Sequence, residues 1–84
     1  MTRLWLEGEP LAVQMDEAGI PVTFQWQGQQ HRIQRIQQAW AIDTDWYDQR
    51  IWRNYVAVTT TRGLLCVLYQ DLASQGWYMS RLYD

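Results

Sequence analysis

Residues 29–41 read QQHRIQRIQQAWA, and this stretch decides the fold class of the 84-residue chain. Gln and Ala are good helix formers, and three bulky apolar residues recur here at the spacing of one helix face: Ile33, Ile36 and Trp40. Against a helix, Gly28-Gln29 provides no strong N-cap, and the segments on both sides resemble strands. We therefore predict a bent strand here, and a short helix within residues 30–41 is the alternative.

The segments before this stretch indicate a β-hairpin. Leu11–Met15 and Val22–Trp26 flank Asp16-Glu17-Ala18-Gly19, a polar turn that ends in glycine. Gln27-Gly28 is a second tight turn, because glycine tolerates the positive φ that hairpin turns require. Alternate residues of the second segment share one face, which we expect to be buried: Val22, Phe24 and Trp26.

The segments after this stretch also alternate with turns. Residues 43–48 are predicted to form a polar and aromatic loop, because Asp and Thr often bond their own backbone in turns. Leu64–Tyr69 is almost entirely apolar, so we expect a central strand that is covered on both faces, with Cys66 as a buried free thiol. The other strands and turns expected in this half are Ile51–Thr60, Thr61–Gly63, Ser74–Gly76 and Trp77–Tyr83.

These segments together predict an all-β fold in a single domain, residues 1–84. About six strands in a small, partly open antiparallel barrel of the SH3-like meander type satisfy the pattern, because such closure leaves few exposed strand edges. Residues 1–20 are expected to add an N-terminal extension with an edge hairpin to a core of residues 21–84. Six Trp, five Tyr and one Phe exceed the needs of so small a core, so we expect some rings at the surface.

The charge distribution is uneven. The net charge is −2, which argues against a protein that coats nucleic acid through bulk electrostatics. Residues 31–62 nevertheless carry five Arg against three Asp, and all seven basic residues of the chain are Arg. Guanidinium groups stack on aromatic rings and bind phosphate or carboxylate in a bidentate manner, which an ammonium group does not. A general compositional preference for Arg is the alternative explanation.

Residues that carry catalysis are scarce. One His and one Cys do not complete a structural zinc site, and we interpret His31 as a surface residue that forms hydrogen bonds. Neither Ser74 nor Ser80 lies in a sequence signature of an activated nucleophile, and the chain has no glycine-rich phosphate loop. We therefore expect no enzymatic activity and no cofactor.

An aspartate cluster is the one group that could suggest a metal. Asp43, Asp45 and Asp48 lack the glycine and the distal glutamate that calcium loops use, so we expect no metal site. We interpret these aspartates as turn residues that pair with Arg50 and Arg53. A hydrolase that uses the cluster is a further alternative.

The strongest functional signal is the alternation of arginines and rings from Trp40 to Tyr55. Rings of this kind can stack on unpaired bases, while arginines neutralise phosphate, and the same residue types dominate protein interfaces. The alternative is that Trp40, Trp52 and Tyr55 belong to the core and that the charges pair among themselves. The candidate binding residues, for a protein or for nucleic acid, are Arg32, Arg35, Trp46, Tyr47, Arg50, Arg53 and Tyr55.

A family resemblance covers about residues 20–84. Its residues are Phe24-Gln25-Trp26-Gln27-Gly28, His31-Arg32-Ile33, Ile36, Trp40, Asp45-Trp46-Tyr47, Arg50, Arg53-Asn54-Tyr55, Asp71-Leu72 and Trp77–Asp84. They resemble a small bacterial domain of unknown function, found alone or at the C-terminus of ImuB-like proteins, which are inactive homologues of Y-family translesion polymerases.

This resemblance implies an accessory role in DNA repair or translesion synthesis. The expected partners are a protein, for instance a translesion-synthesis component, or single-stranded nucleic acid. A homodimeric, self-associating module without a nucleic-acid role is the alternative. Without a signal peptide or a long apolar stretch, the sequence predicts a cytoplasmic protein that binds no membrane.

Overall fold

A computed structural model describes residues 2–83 and all of their side chains except that of Trp46. The described chain is almost entirely strand. Each strand pairs in antiparallel fashion with its neighbour in sequence, and the first also pairs with the last, so the six strands form a closed ring. They are β1 (Thr2–Met15), β2 (Pro21–Trp26), β3 (Gln29–Trp46), β4 (Gln49–Thr60), β5 (Leu65–Asp71) and β6 (Trp77–Tyr83). The predicted all-β antiparallel fold is confirmed.

Residues 29–41 lie in β3, so the alternative of a short helix is wrong. The pairing of β3 with β4 shifts between Ile33 and Arg35 and again between Ile36 and Gln38. Each shift adds one residue to β3, which bends the strand and changes which face the next side chain occupies. Ile33 and Ile36 therefore lie three residues apart but both face the inside of the ring. The first bulge produces the helix-like spacing of Ile33 and Ile36, whereas Trp40 pairs with Tyr55 and faces outward.

The strand β1 closes the ring and is paired on both sides. Its first half pairs with β6 and its second half with β2, so residues 2–15 form part of the closed ring. Between Leu4 and Glu9 the ladder with β6 is interrupted, and we call residues 5–8 the β1 arch. Trp5 of the arch packs edge-on against Trp26, with ring centroids 5.1 Å apart. This contact anchors the arch to the core.

Residues 43–48 are not the loop that their composition suggests. Residues 43–46 belong to β3, and the turn consists of Tyr47 and Asp48 alone, with φ of 56° at Tyr47. Asp is a poor strand former, but pairing with β4 overrides that preference, and Thr44 is itself favourable in a strand. The pairing of β4 with β5 ends at Arg53 and Asp71, whereas the pairing of β3 with β4 continues to the turn. The β3–β4 hairpin therefore extends beyond the ring as a two-stranded arm, residues 43–52.

The core lies inside the ring and draws on every strand. Among its residues, Phe24, Val58, Cys66, Leu68 and Met79 are at most 1% exposed. The prediction of a central strand covered on both faces is confirmed for β5, whose residues 66–69 are all buried. Val22 was expected to be buried and is instead 39% exposed. A bulge opposite the end of β1 turns Val22 outward, and Pro21 is buried in its place.

The buried thiol of Cys66 leads to a first testable expectation. Burial raises the pKa of Cys66 from 9.0 to about 12, so the folded protein holds a neutral thiol. We expect iodoacetamide to alkylate Cys66 only after unfolding, and stability to fall above pH 9.0 as the unfolded thiol ionises and the folded thiol does not. Mass spectrometry along a urea gradient measures the labelling. Rapid labelling of the native protein would contradict the buried position.

Candidate functional site

The outward side of the ring carries a row of four rings, one from each of the strands β3 to β6. They are direct cross-strand partners: Trp40 with Tyr55, Tyr55 with Tyr69, and Tyr69 with Tyr78. Successive ring centroids lie 5.4, 5.1 and 5.1 Å apart. Pairs at such distances stabilise a sheet beyond their buried area. We call these four residues the aromatic row.

The aromatic row is covered at one end and open at the other. The β1 arch lies over the end formed by β5 and β6, where the Tyr69 hydroxyl donates a hydrogen bond to the backbone oxygen of Glu7 at 3.0 Å. Tyr69 is consequently only 3% exposed, whereas Trp40 at the opposite end is 37% exposed. The accessible ring surface therefore lies on β3 and β4.

Arg53 lies against the middle of the aromatic row. Its Cζ is 4.4 Å from the centroid of the Tyr69 ring, and its Nη1 donates a hydrogen bond to the Tyr55 hydroxyl at 3.1 Å. Burial alone would lower the pKa of Arg53, but the contact with Tyr55 and the nearby Tyr69 and Asp71 raise it above its ordinary value. Arg53 therefore keeps its charge while it lies over a ring.

Two adjoining hollows extend from the exposed end of the row across the sheet, with volumes of about 430 and 290 Å³. Both are lined by Trp40, Val67 and Tyr83. Arg81 lies beside them, with its Cζ 5.8 Å from the Tyr83 ring centroid and a hydrogen bond from its Nη1 to the Tyr83 hydroxyl. We call this surface the outer face, formed by Arg35, Gln38, Trp40, Ile42, Arg53, Tyr55, Ala57, Leu65, Val67, Arg81 and Tyr83.

The outer face is cationic, although the whole chain has a net charge of −2. The alternation of the strands places Arg35, Arg53 and Arg81 on this side. Asp71 is the acidic partner of Arg53 in the sheet, but its Oδ1 accepts hydrogen bonds from the backbone of Ala73 and Ser74. Asp71 keeps its negative charge and acts on Arg53, but three arginines against this one carboxylate leave the face with a positive potential.

The predicted binding residues separate into two groups. Arg35, Arg53 and Tyr55 share the outer face. Arg50 lies on the opposite side of the arm, because residues 50 and 53 differ by an odd number of positions in one strand. Arg32 pairs with Thr23 on another part of the ring. Tyr47 is 89% exposed at the arm's turn, and the side chain of Trp46 lies outside the described part of the chain.

The prediction that the aspartate cluster pairs with arginine is confirmed for Arg50 and wrong for Arg53. Arg50 donates to both carboxylate oxygens of Asp43, at 3.0 and 2.9 Å, and these hydrogen bonds lower the pKa of Asp43. The Arg50 Cζ also lies 4.5 Å from the Trp52 ring centroid. Arg53 faces the other way, where Tyr69 replaces a carboxylate as its neighbour.

The interpretation of Trp40 and Trp52 as core residues is wrong, since they are 37% and 38% exposed. Sequence reasoning also missed Val67, Arg81 and Tyr83 as surface neighbours of Arg53 and Tyr55. Because Val56 and Val58 are buried, alternation along β4 correctly places Arg53 and Tyr55 on the outer side. Placing the residues of β5 and β6 beside them requires the register of those two strands, which the sequence alone does not give. His31, predicted at the surface, is 5% exposed and stacks on Phe24 with ring centroids 5.3 Å apart.

Comparison with known proteins gives no match among protein-family models, curated proteins or solved structures. The described residues contain no cluster of three or more His, Cys, Asp or Glu side chains that could hold a metal ion. In the same residues there is no helix with the length and apolar character needed to cross a membrane.

Proposed function

We propose that this protein is a non-enzymatic binding module that holds single-stranded nucleic acid on the outer face. The observation that supports this proposal is the exposed Trp40, which is stacked on Tyr55 beside Arg53 and Arg81. Unpaired bases stack on aromatic rings whatever their sequence, and arginines neutralise the adjoining phosphates.

Charge complementarity favours a polyanion over a neutral partner. The acidic residues of the chain are concentrated in the first turn, the arm and the β1 arch, whereas three arginines share the outer face. A neutral protein surface would leave these cations without partners, and burying them without partners costs free energy. A phosphate chain that crosses the hollows supplies one anion for each arginine.

The biological setting of this proposal comes from the sequence resemblance to the domain found in ImuB-like proteins. We propose an accessory role in DNA repair or translesion synthesis, where single-stranded DNA is exposed ahead of a polymerase. The module would bind that strand without acting on it chemically.

Fluorescence anisotropy of a labelled oligothymidylate, measured across a salt series, tests the proposal. Three phosphate contacts predict a slope of log K against log salt of about −2, since each contact on a single strand contributes about −0.7. We expect Arg53→Gln and Arg81→Gln each to reduce the magnitude of this slope by about 0.7. Arg32→Gln makes the same change in charge away from the outer face, and should leave the slope unaltered.

Two results would overturn the nucleic-acid proposal. One is an absence of binding at low salt, and the other is an equal effect of Arg32→Gln and Arg53→Gln, which would indicate non-specific attraction. Sedimentation that shows a dimer disrupted by Arg81→Gln, with no oligonucleotide bound, would instead support the self-associating module.

A further inference from the structure

Another hollow lies at the end of the ring where the β2–β3 and β4–β5 turns meet the start of β1 and the end of β6. Its volume is about 320 Å³, and it is lined by residues that include Arg3, Trp26, Gln29, His31 and Leu82. It lies on the inward side of the sheet, and none of the residues of the outer face line it. We call it the basic pocket.

Two buried nitrogen atoms in the basic pocket lack hydrogen-bond partners within residues 2–83. They are the Nε of Arg3 and the Nδ1 of His31. His31 is 5% exposed, because it pairs with Phe24 on the inward face of β2 and β3. A buried polar atom without a partner costs about 1–3 kcal/mol, so folded proteins usually pair such an atom with protein, an ordered water or a bound group. Both atoms could be satisfied by one bound group.

A second cationic group, after Arg3, lies at the edge of the basic pocket. Arg62, in the β4–β5 turn, donates a hydrogen bond from Nη1 to the Oε1 of Gln29 at 2.7 Å, and its charge acts on His31. No Asp or Glu side chain lines the hollow within the described chain. The charged side chains at this site are Arg3, which lines the hollow, and Arg62, whose charge acts on His31, and both are positive. The unpartnered nitrogen atoms and the positive charge of the two arginines both favour an anion in the basic pocket.

We propose that the basic pocket binds a small organic phosphate monoester. The phosphate lies among Arg3, His31 and Arg62, so that three donor groups meet three terminal oxygens. Guanidinium groups match phosphate in their bidentate geometry. The volume exceeds that of a bare phosphate ion, and Trp26, Leu64 and Leu82 supply an apolar wall for the organic part. This inference is independent of nucleic-acid binding on the outer face.

Anion binding and the ionisation of His31 are coupled. Burial and the positive charge of Arg62 lower the pKa of His31 below its usual 6.5, against a contribution from the backbone of Trp26 that raises it. A neutral imidazole therefore prevails in the empty pocket near neutral pH. A bound dianion stabilises the imidazolium and raises the pKa, so affinity must increase as the pH falls through the range where His31 gains its proton.

The experiment uses the fact that the chain contains one histidine, so its ring proton resonances report on His31 alone. The pH titration of these resonances is followed by NMR with and without sulfate, which stays dianionic across the range and adds no ionisation of its own. We expect saturable shifts and a rise in the His31 pKa of about one unit, equivalent to about tenfold tighter binding to the protonated form. An unchanged pKa and the absence of saturation would overturn the proposal.

Ligand arms and variants complete the test. Phenyl phosphate should bind at least tenfold more tightly than sulfate, because its ring contacts the apolar wall. It should also bind more tightly than benzoate, because a carboxylate offers two oxygens where a phosphate monoester offers three. Benzoate binding as tight as phenyl phosphate would overturn the assignment to phosphate. Arg3→Gln should weaken phenyl phosphate at least tenfold. Arg35→Gln removes one exposed arginine on the outer face and should leave the affinity for phenyl phosphate unchanged. Equal losses of affinity in Arg3→Gln and Arg35→Gln would show that phenyl phosphate does not bind in the basic pocket.

Discussion

Gly8→Ala is expected to destabilise the fold by about 3 kcal/mol, from overpacking and from an unfavourable backbone conformation together. Gly8 has a φ of +80°, and a Cβ added there would lie 2.5 Å from the Tyr69 hydroxyl oxygen and 2.8 Å from the Cβ of Tyr78. Neither atom can withdraw easily. Tyr69 is held by stacking on both sides and by its hydrogen bond to Glu7, and the Cβ of Tyr78 is fixed to the strand.

Urea denaturation of Gly8→Ala and Gly19→Ala separates the two contributions. Gly19 has nearly the same φ, +81°, but nothing lies within 4 Å of a Cβ added there. We expect Gly19→Ala to cost about 1 kcal/mol, the penalty of the left-handed conformation alone. The difference between the variants measures how tightly the β1 arch packs on the aromatic row. Equal losses of stability in Gly8→Ala and Gly19→Ala would show that the β1 arch moves away from the added methyl group without a cost in free energy.

The fold could be predicted from the sequence because most strands alternate cleanly between apolar and polar residues. Ile51–Thr60 is predicted by its alternation and Leu64–Tyr69 by its continuous apolar run, and the neighbours of each strand in the ring are its neighbours in sequence. A bulge breaks the alternation at Val22, which was expected to be buried, and between Ile33 and Ile36, where it left a helix as the alternative to the bent strand. A bulge depends on pairing with a distant strand, so no local pattern reveals it.

The candidate site could be predicted only in part. Composition identified the middle of the chain as rich in arginine and aromatic residues, and Arg53 and Tyr55 do lie on the outer face. Local sequence predicted the pairing of the aspartates with Arg50, but it could not show that Arg53 faces the other side of the arm, because that depends on β3 continuing through residues 43–46 in register with β4. Nor could it place Arg81 and Tyr83 nearby, since they arrive on β6 through the register of three strand pairs.

Trp40→Ala is expected to weaken oligonucleotide binding by about 1–3 kcal/mol, which corresponds to a loss of affinity of roughly 5- to 150-fold. Trp40 is the exposed end of the aromatic row and lines both hollows of the outer face. Removal of its ring leaves a base without its stacking surface. Trp40→Phe keeps a smaller ring, and should retain part of the affinity.

Trp52→Ala is the matched control, because Trp52 is exposed to almost the same extent, 38% against 37%, and also lies on the β3–β4 hairpin. It faces the other side of the arm, where it contacts Arg50. Its removal should change oligonucleotide affinity by less than about twofold, and urea denaturation should show similar stability losses for both variants, as expected for half-exposed rings. Equal losses of affinity would show that binding does not depend on the outer face. If both variants lose similar stability but only Trp40→Ala loses affinity for the oligonucleotide, the base must stack at the open end of the aromatic row.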